Sequence, residues 1–151
     1  MSLLVRNASP ADRDALHALL TAQMVEHRLP AEPERIAAGL DAAFKPGSPA
    51  WLLVAEQERE LVGVFLGNRI VSVEKGGETV WIEELYVVPK ARRRGVARAI
   101  LGHARDEARR LGLRALDLEV VPTQRAALAL YRALGFTEVQ RERMTLDLQS
   151  Q

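Results

Sequence analysis

Residues 82–88 read Ile-Glu-Glu-Leu-Tyr-Val-Val, a run rich in strand-forming side chains. Pro89 stops that run, because proline has no N–H to give to a sheet ladder. The chain then passes Arg92, Arg93, Arg94 and Gly95 and enters a stripe of Val96, Ile100, Ala104, Ala108 and Leu111, with Gly112 beyond its end. That spacing predicts a helix over 94–111. A strand that turns directly into a helix presents the helix's first N–H groups at the strand's end. Those groups have no intrahelical partner, and with the macrodipole they attract an anion. Gly95 and Ala97 are small enough to let a ligand come close. Arg92, Arg93, Arg94 and Arg98 can each add charge-assisted hydrogen bonds of about 1.5–3 kcal/mol. A phosphate or pyrophosphate is the ligand implied. The junction lacks the GK[ST] ending of a Walker loop and the GxGxxG of a dinucleotide fold.

The charge balance needs the same junction to explain it. The chain has 21 basic and 20 acidic residues, a net charge of +1. Residues 90–114 hold nine basic and two acidic residues, so this segment is +7 and the remainder is −6. A long nucleic acid is not the expected partner, because the segment has no aromatic residue to stack on bases and the rest of the chain is acidic. Cysteine is absent, and the three histidines (His17, His27, His103) have no ligand spacing, so no metal site is expected. No apolar run approaches the ~20 residues of a membrane span, and the start is too short for a secretory signal. The expectation is a soluble, cytoplasmic protein. With 151 residues, 48% hydrophobic and 27% charged, it reads as one domain over 1–151.

Around the junction the pattern reads as follows. Residues 3–6 predict a strand. Ser9, Pro10 and Asp12 predict a capped helix start, followed by Leu16, Leu19, Leu20 and Met24 at helical spacing. A second helix is expected over 32–44. Strands are expected over 51–55, 61–66, 70–73 and 79–88, forming an antiparallel meander with a hairpin at 76–78. After the junction helix come a strand at 116–120, a helix at 124–134 closed by Gly135, and a hairpin of 136–139 with 144–148. The fold class is α/β (α+β): a mixed, mostly antiparallel sheet of about six or seven strands, with about four helices on its two faces.

Arg92-Arg93-Arg94-Gly95-Val96-Ala97 matches the [QR]-x-x-G-x-[GA] motif, and 124–136 reads QRAALALYRALGF. On these motifs, together with the strands at 82–88 and 116–120, the chain resembles the GNAT superfamily of acyl-CoA-dependent N-acetyltransferases. The strong match covers about 81–139. The resemblance implies a sheet splayed between its fourth and fifth strands, with acetyl-CoA as co-substrate. It implies that the backbone of Leu85, Tyr86 and Val87 lines the pantetheine arm and that Arg92, Arg93, Arg94, Gly95, Val96, Ala97 and Arg98 hold the pyrophosphate. It also implies direct attack by a primary amine, and it is consistent with a homodimer. Gln124 stands where the family usually has asparagine, a departure at a cofactor-side position.

Two proton transfers need residues. An alkylamine of pKa ~10.4 is nucleophilic in only about 1 in 2,500 molecules at pH 7, so a base helps. Glu83, Glu119 and Glu84 are the candidates, in that order. Regular alternation along one strand would send Glu83 and Glu84 to opposite faces. Tyr131 matches the tyrosine that protonates the departing CoA sulfur. Glu26, His27, Glu32 and Glu34 lie where the resemblance places the mouth of the acceptor site. The alternative function is a non-catalytic acyl-CoA-binding module on the same fold.

Overall fold

The computed structural model describes residues 2–149. It falls into two compact units, 1–119 and 120–151 by chain position. In the first, five strands form one sheet in the order β1-β2-β3-β4-β5: β1 (Leu3–Asn7), β2 (Ala50–Gln57), β3 (Glu60–Ser72), β4 (Gly77–Val87) and β5 (Leu116–Asp117). The first four pair antiparallel, and β4 pairs parallel with β5. The unit's helices are α1 (Arg13–Glu26), α2 (Pro33–Phe44) and α3 (Val96–Arg110).

Local chemistry explains most of the boundaries. Ser9 and Asp12 form the expected capping box, with the Ser9 N–H donating to Asp12 at 2.8 Å, although the first turn, Pro10–Asp12, is 3-10. Glu58 and Arg59 take positive φ at the turn between β2 and β3. That supplies the mirror-image turn which suits the strand twist. The two strands expected at 61–66 and 70–73 are one continuous strand, because β4 pairs along the whole of 63–72.

Each sheet face carries a core. Leu16, Leu19 and Leu20 of α1 and Ile36 and Leu40 of α2 pack with sheet residues Leu52, Val54, Val64 and Tyr86. Leu53, Ala55, Phe65 and Val80 are buried with α3 residues Ile100 and Ala104. A Cβ at Gly63 would stand 2.9 Å from Ile100 Cδ1 and 3.3 Å from Ala55 Cβ and Tyr86 O, so a larger residue there would make the Ile100 side chain shift.

Among the described residues the strand count is five, not six or seven. β5 stops after two residues, and 136–149 forms no strand, although Met144, Leu146 and Leu148 alternate with polar neighbours. A period-two pattern becomes a strand only where a second backbone accepts its hydrogen bonds, and none is paired to this segment among the described residues. The second unit contains α4 (Arg125–Ala133), closed by Gly135 at positive φ and by a bond from the Phe136 N–H to the Tyr131 carbonyl at 3.0 Å.

One side chain ties β1, β2 and the start of α1 together. Arg6 donates to both Asp12 oxygens at 2.8 and 2.9 Å and to Glu56 through Nε at 3.1 Å and Nη2 at 2.9 Å. Arg6 holds the Asp12 carboxyl below its ordinary value of 3.8. Arg6→Leu is expected to cost about 1–3 kcal/mol in urea unfolding at pH 7, since it strands two carboxylates. The contribution of Asp12 is present above its ordinary value and is lost as pH falls through the depressed one. The difference between the two proteins should therefore shrink in acid.

Candidate active site

The site is built on an irregularity in β4. Register runs Gly67↔Ile82 and then Leu66↔Glu84, so Glu83 is an extra residue, a β-bulge. Trp81 sits opposite Asn68, and Glu84 sits opposite Leu66. Residues 66 and 68 share a face of β3, so Trp81, Glu83 and Glu84 all project toward the α1–α2 side. Trp81 confirms this for Glu83 by donating its indole N–H to the Glu83 carboxylate at 3.0 Å. The regular alternation expected of the two glutamates is therefore corrected: the bulge turns them to one face.

The same extra residue shifts the phase of the backbone. Before it, Val80 N–H donates to Ala115 O on the β5 side. After it, Val88 N–H donates to Val62 O on the β3 side, which sets Tyr86 and Glu84 toward β3 and Leu85 and Val87 away from it. β5 pairs only with Val80 and Trp81. Beyond that point no strand among the described residues pairs with β4 on this side, so the backbone groups of Leu85 and Val87 line an unpaired edge. This is the splay expected from the resemblance. Tyr86 is not among the edge groups, since its backbone faces β3 and its ring is buried under α1.

At the end of β4 the junction takes the shape its residues imply. Arg93 and Gly95 adopt positive φ, at 62° and 78°. The first backbone bond of α3 is Ala99 N–H to Gly95 O at 2.9 Å. Among the described residues, the N–H groups of Arg93, Arg94, Gly95, Val96, Ala97 and Arg98 have no backbone acceptor. Arg93, Arg94 and Arg98 are exposed and make no ion pair among those residues.

Arg92 differs from the other three. Its Nε donates to Val87 O at 2.9 Å, its Nη2 meets both Glu26 oxygens at 2.8 Å, and its guanidinium lies 5.5 Å from the Tyr86 ring centre. It stacks on Tyr86 and occupies the last edge carbonyl. Tyr86 hydroxyl also reaches Glu26, at 3.4 Å, so α1 is fastened to the end of β4. Sequence reasoning placed Arg92 with the other arginines because nothing local separates it from them. Its partner Glu26 is distant in the chain.

The two glutamates sit in different surroundings. Glu83 is exposed, whereas Glu84 is half-buried beside α1 and α2. Burial first, then the charge of Glu83, pushes the Glu84 carboxyl above its ordinary 4.5, and a hydrogen bond from Gln23 opposes this. Gln23, which sequence reasoning missed, is buried in α1, and its Oε1 has no partner among the described residues. A polar residue on the apolar stripe of α1 was the available signal. Glu84 lines a cavity of about 310 Å³ whose other walls come mostly from α1 and α2. Glu119 is exposed and follows the end of β5. Of the expected mouth residues, Glu32 pairs with Arg35 at 2.9 Å and His27 lies 3.9 Å from Glu26.

In the second unit, Tyr131 packs edge-on against Phe136, with ring centres 5.7 Å apart. Burial raises its hydroxyl above 10.0. Gln124 caps α4 without a side-chain capping bond. No helix among the described residues is long and apolar enough to cross a membrane.

Because the folded-state Glu84 carboxyl binds its proton more tightly than in the unfolded chain, its ionisation opposes folding. Stability should fall as pH rises from 4.5 through the raised value, and the loss should persist above it. Glu84→Gln is expected to remove that fall, so urea midpoints at pH 4 and pH 8 should differ less in the variant.

A model of the acetyltransferase (GNAT) family matches residues 13–136. An IAA acetyltransferase of Azospirillum brasilense is 34% identical over 76 residues, covering 50% of this chain and 50% of that protein. A ribosomal protein bS18-alanine N-acetyltransferase of Escherichia coli K12 is 46% identical over 52 residues, covering 34% of this chain and 35% of that protein. The matched stretches thus span half or less of these relatives. An aminoglycoside N-acetyltransferase solved with CoA has the same fold, with a TM-score of 0.81 at 17% identity over 97% of this chain and 95% of that one.

Proposed function

The chain belongs to the acetyltransferase (GNAT) family, and from that premise we propose that it transfers an acetyl group from acetyl-CoA to a primary amine, both of its units acting as a single N-acetyltransferase domain. The observation that carries this is the pairing of an open β4 edge with a run of N–H groups, 93–98, that have no backbone acceptor. The two features suit the two halves of the co-substrate: an amide-bearing arm and a pyrophosphate.

Acetyl-CoA supplies the acetyl group as a thioester. The residues of the chain bind, orient and move protons. Leu85 N–H and C=O and Val87 N–H offer an extended arm the bonds of an added strand, while Arg92 keeps the Val87 carbonyl. The amides of 93–98 hold the pyrophosphate, and Arg93, Arg94 and Arg98 add charge. Gly95, Val96 and Ala97 keep that surface open. The Gln124 amide serves the cofactor side. As the amine nitrogen bonds to the acetyl carbon and the C–S bond breaks, a proton leaves nitrogen and one arrives at sulfur. Glu83 is the first candidate to take the former, directly or through water, with Glu119 next. Glu84 is held toward its neutral form and ranks third as a base. Tyr131, kept protonated by burial, donates the latter.

Calorimetry should detect acetyl-CoA binding, and thiol release should follow when an accepted amine is added. Arg93→Gln, Arg94→Gln and Arg98→Gln are each expected to weaken binding about tenfold or more. Arg92→Gln should mainly lower the melting temperature. Unchanged affinity in all three of the first group would remove the assignment of the junction.

Tyr131→Phe is expected to lower kcat by about 10²–10⁴ with little change in acetyl-CoA affinity. Equal losses in turnover and affinity would show that the ring matters for packing instead.

A further inference from the structure

The cavity under Glu84 has a chemistry that selects among amines. Its walls are apolar, with Leu20 and Met24 from α1, Ile36 and Leu40 from α2, and Leu66 from β3. Its volume of about 310 Å³ is at the small end for ligand pockets. Of its charged residues, Glu32 and Arg35 pair with each other and are more than half exposed. That leaves Glu84 as the carboxylate with no cation partner among the described residues. Behind Glu84, Gln23 is more than nine-tenths buried and keeps an unpartnered Oε1. One residue along the strand, Leu85 presents its backbone on the open edge, so the cavity and the edge share one stretch of β4.

We propose that this cavity holds the arm of the acceptor, and that the acceptor is a primary amine bearing one compact apolar group, branched aliphatic or phenylalkyl, with its nitrogen at Glu84. This rests on the acetyl-transfer reading above and narrows it. A polyamine or an aminoglycoside carries several cations, and each would need a carboxylate to replace its water. Of the cavity's two carboxylates, Glu32 is already paired with Arg35, and burial holds Glu84 toward its neutral form.

Gly39 gives the test. It lines the cavity from α2, and a Cβ built there meets nothing within 4 Å. Gly39→Leu therefore fills the cavity while improving helix propensity, so the variant should fold. Gly39→Ala gains the same propensity with little added volume. The acceptors compared are 3-phenylpropylamine, isoamylamine, spermidine and kanamycin, each with acetyl-CoA. The apolar-armed amines are expected to exceed the polycations in kcat/KM by about tenfold or more. Gly39→Leu should cut their kcat/KM by a similar factor, Gly39→Ala should cut it less, and acetyl-CoA affinity should stay the same. Calorimetry of 3-phenylpropylamine against the CoA-loaded protein reads the pocket without turnover, and Gly39→Leu should abolish that heat. Preference for spermidine or kanamycin, or a Gly39→Leu protein that binds and acetylates phenylpropylamine normally, would overturn the pocket and leave acetyl transfer standing. Absence of acetylation of any amine by a CoA-binding protein would overturn the reading beneath it.

Discussion

One extra residue in β4 organises the site. Without the bulge at Glu83, the strand would keep its backbone in phase with β5, and the parallel pairing begun at Val80 and Trp81 could continue. With it, the strand bends and twists more strongly, as bulged strands do. The pairing ends after two residues, and the polar groups of Leu85 and Val87 are left on an edge. An unpaired edge inside a protein is ordinarily a liability. Here it is short, and its last carbonyl is taken by Arg92. What remains is a length of ladder suited to a small extended ligand rather than to another chain.

Arg92 also shows how the charge block divides. As sequence, Arg105, Arg109, Arg110 and Arg114 read as a solvated helix face, while nothing sets Arg92 apart from Arg93, Arg94 and Arg98. In the structure Lys90 pairs with Glu60, Arg92 with Glu26, Arg105 with Asp106 and Arg110 with Glu107. Arg114 lies along Gly77, whose missing side chain leaves room for it. Most of these pairs are exposed and contribute little to stability. The Arg92–Glu26 pair matters by position, since it joins the end of α1 to the strand that carries the edge. Among the described residues, the arginines without ion pairs at the head of α3 are those beside the N–H groups without backbone acceptors. The part of the block without ion pairs among the described residues is therefore smaller than the motif, and it begins one residue later.

Periodicity made the meander, α1, α2, α3 and α4 legible, because each buries a stripe or face large enough to leave a pattern. The Arg-Gly turn was legible because Gly95 and Ala97 stand at fixed spacing between a strand pattern and a helix pattern. The bulge was not. Ile82, Glu83 and Glu84 carry no local mark of it, and only pairing with Leu66 and Gly67 defines it. Missing the bulge led directly to the wrong faces for Glu83 and Glu84. The last two expected strands failed for a related reason. The pattern at Met144, Leu146 and Leu148 records a preference for a pleated surface, whereas a strand exists only through its neighbour.

Placing two carboxylates on one face changes how their roles divide. A carboxyl holds its proton more tightly where burial makes charge more costly. Glu84 is the buried member, packed beside Gln23 and the apolar ends of α1 and α2, and the charge on Glu83 reinforces its protonation. Glu83 is the exposed member and is steadied by the Trp81 indole. A residue that takes protons from an incoming ammonium needs contact with water to release them again. A residue that orients a ligand needs fixed surroundings. On that physical ground the two differ in kind: Glu83 is open to water and Glu84 is held in fixed surroundings. The split arises because the bulge leaves one side chain at the surface and turns the next against α1.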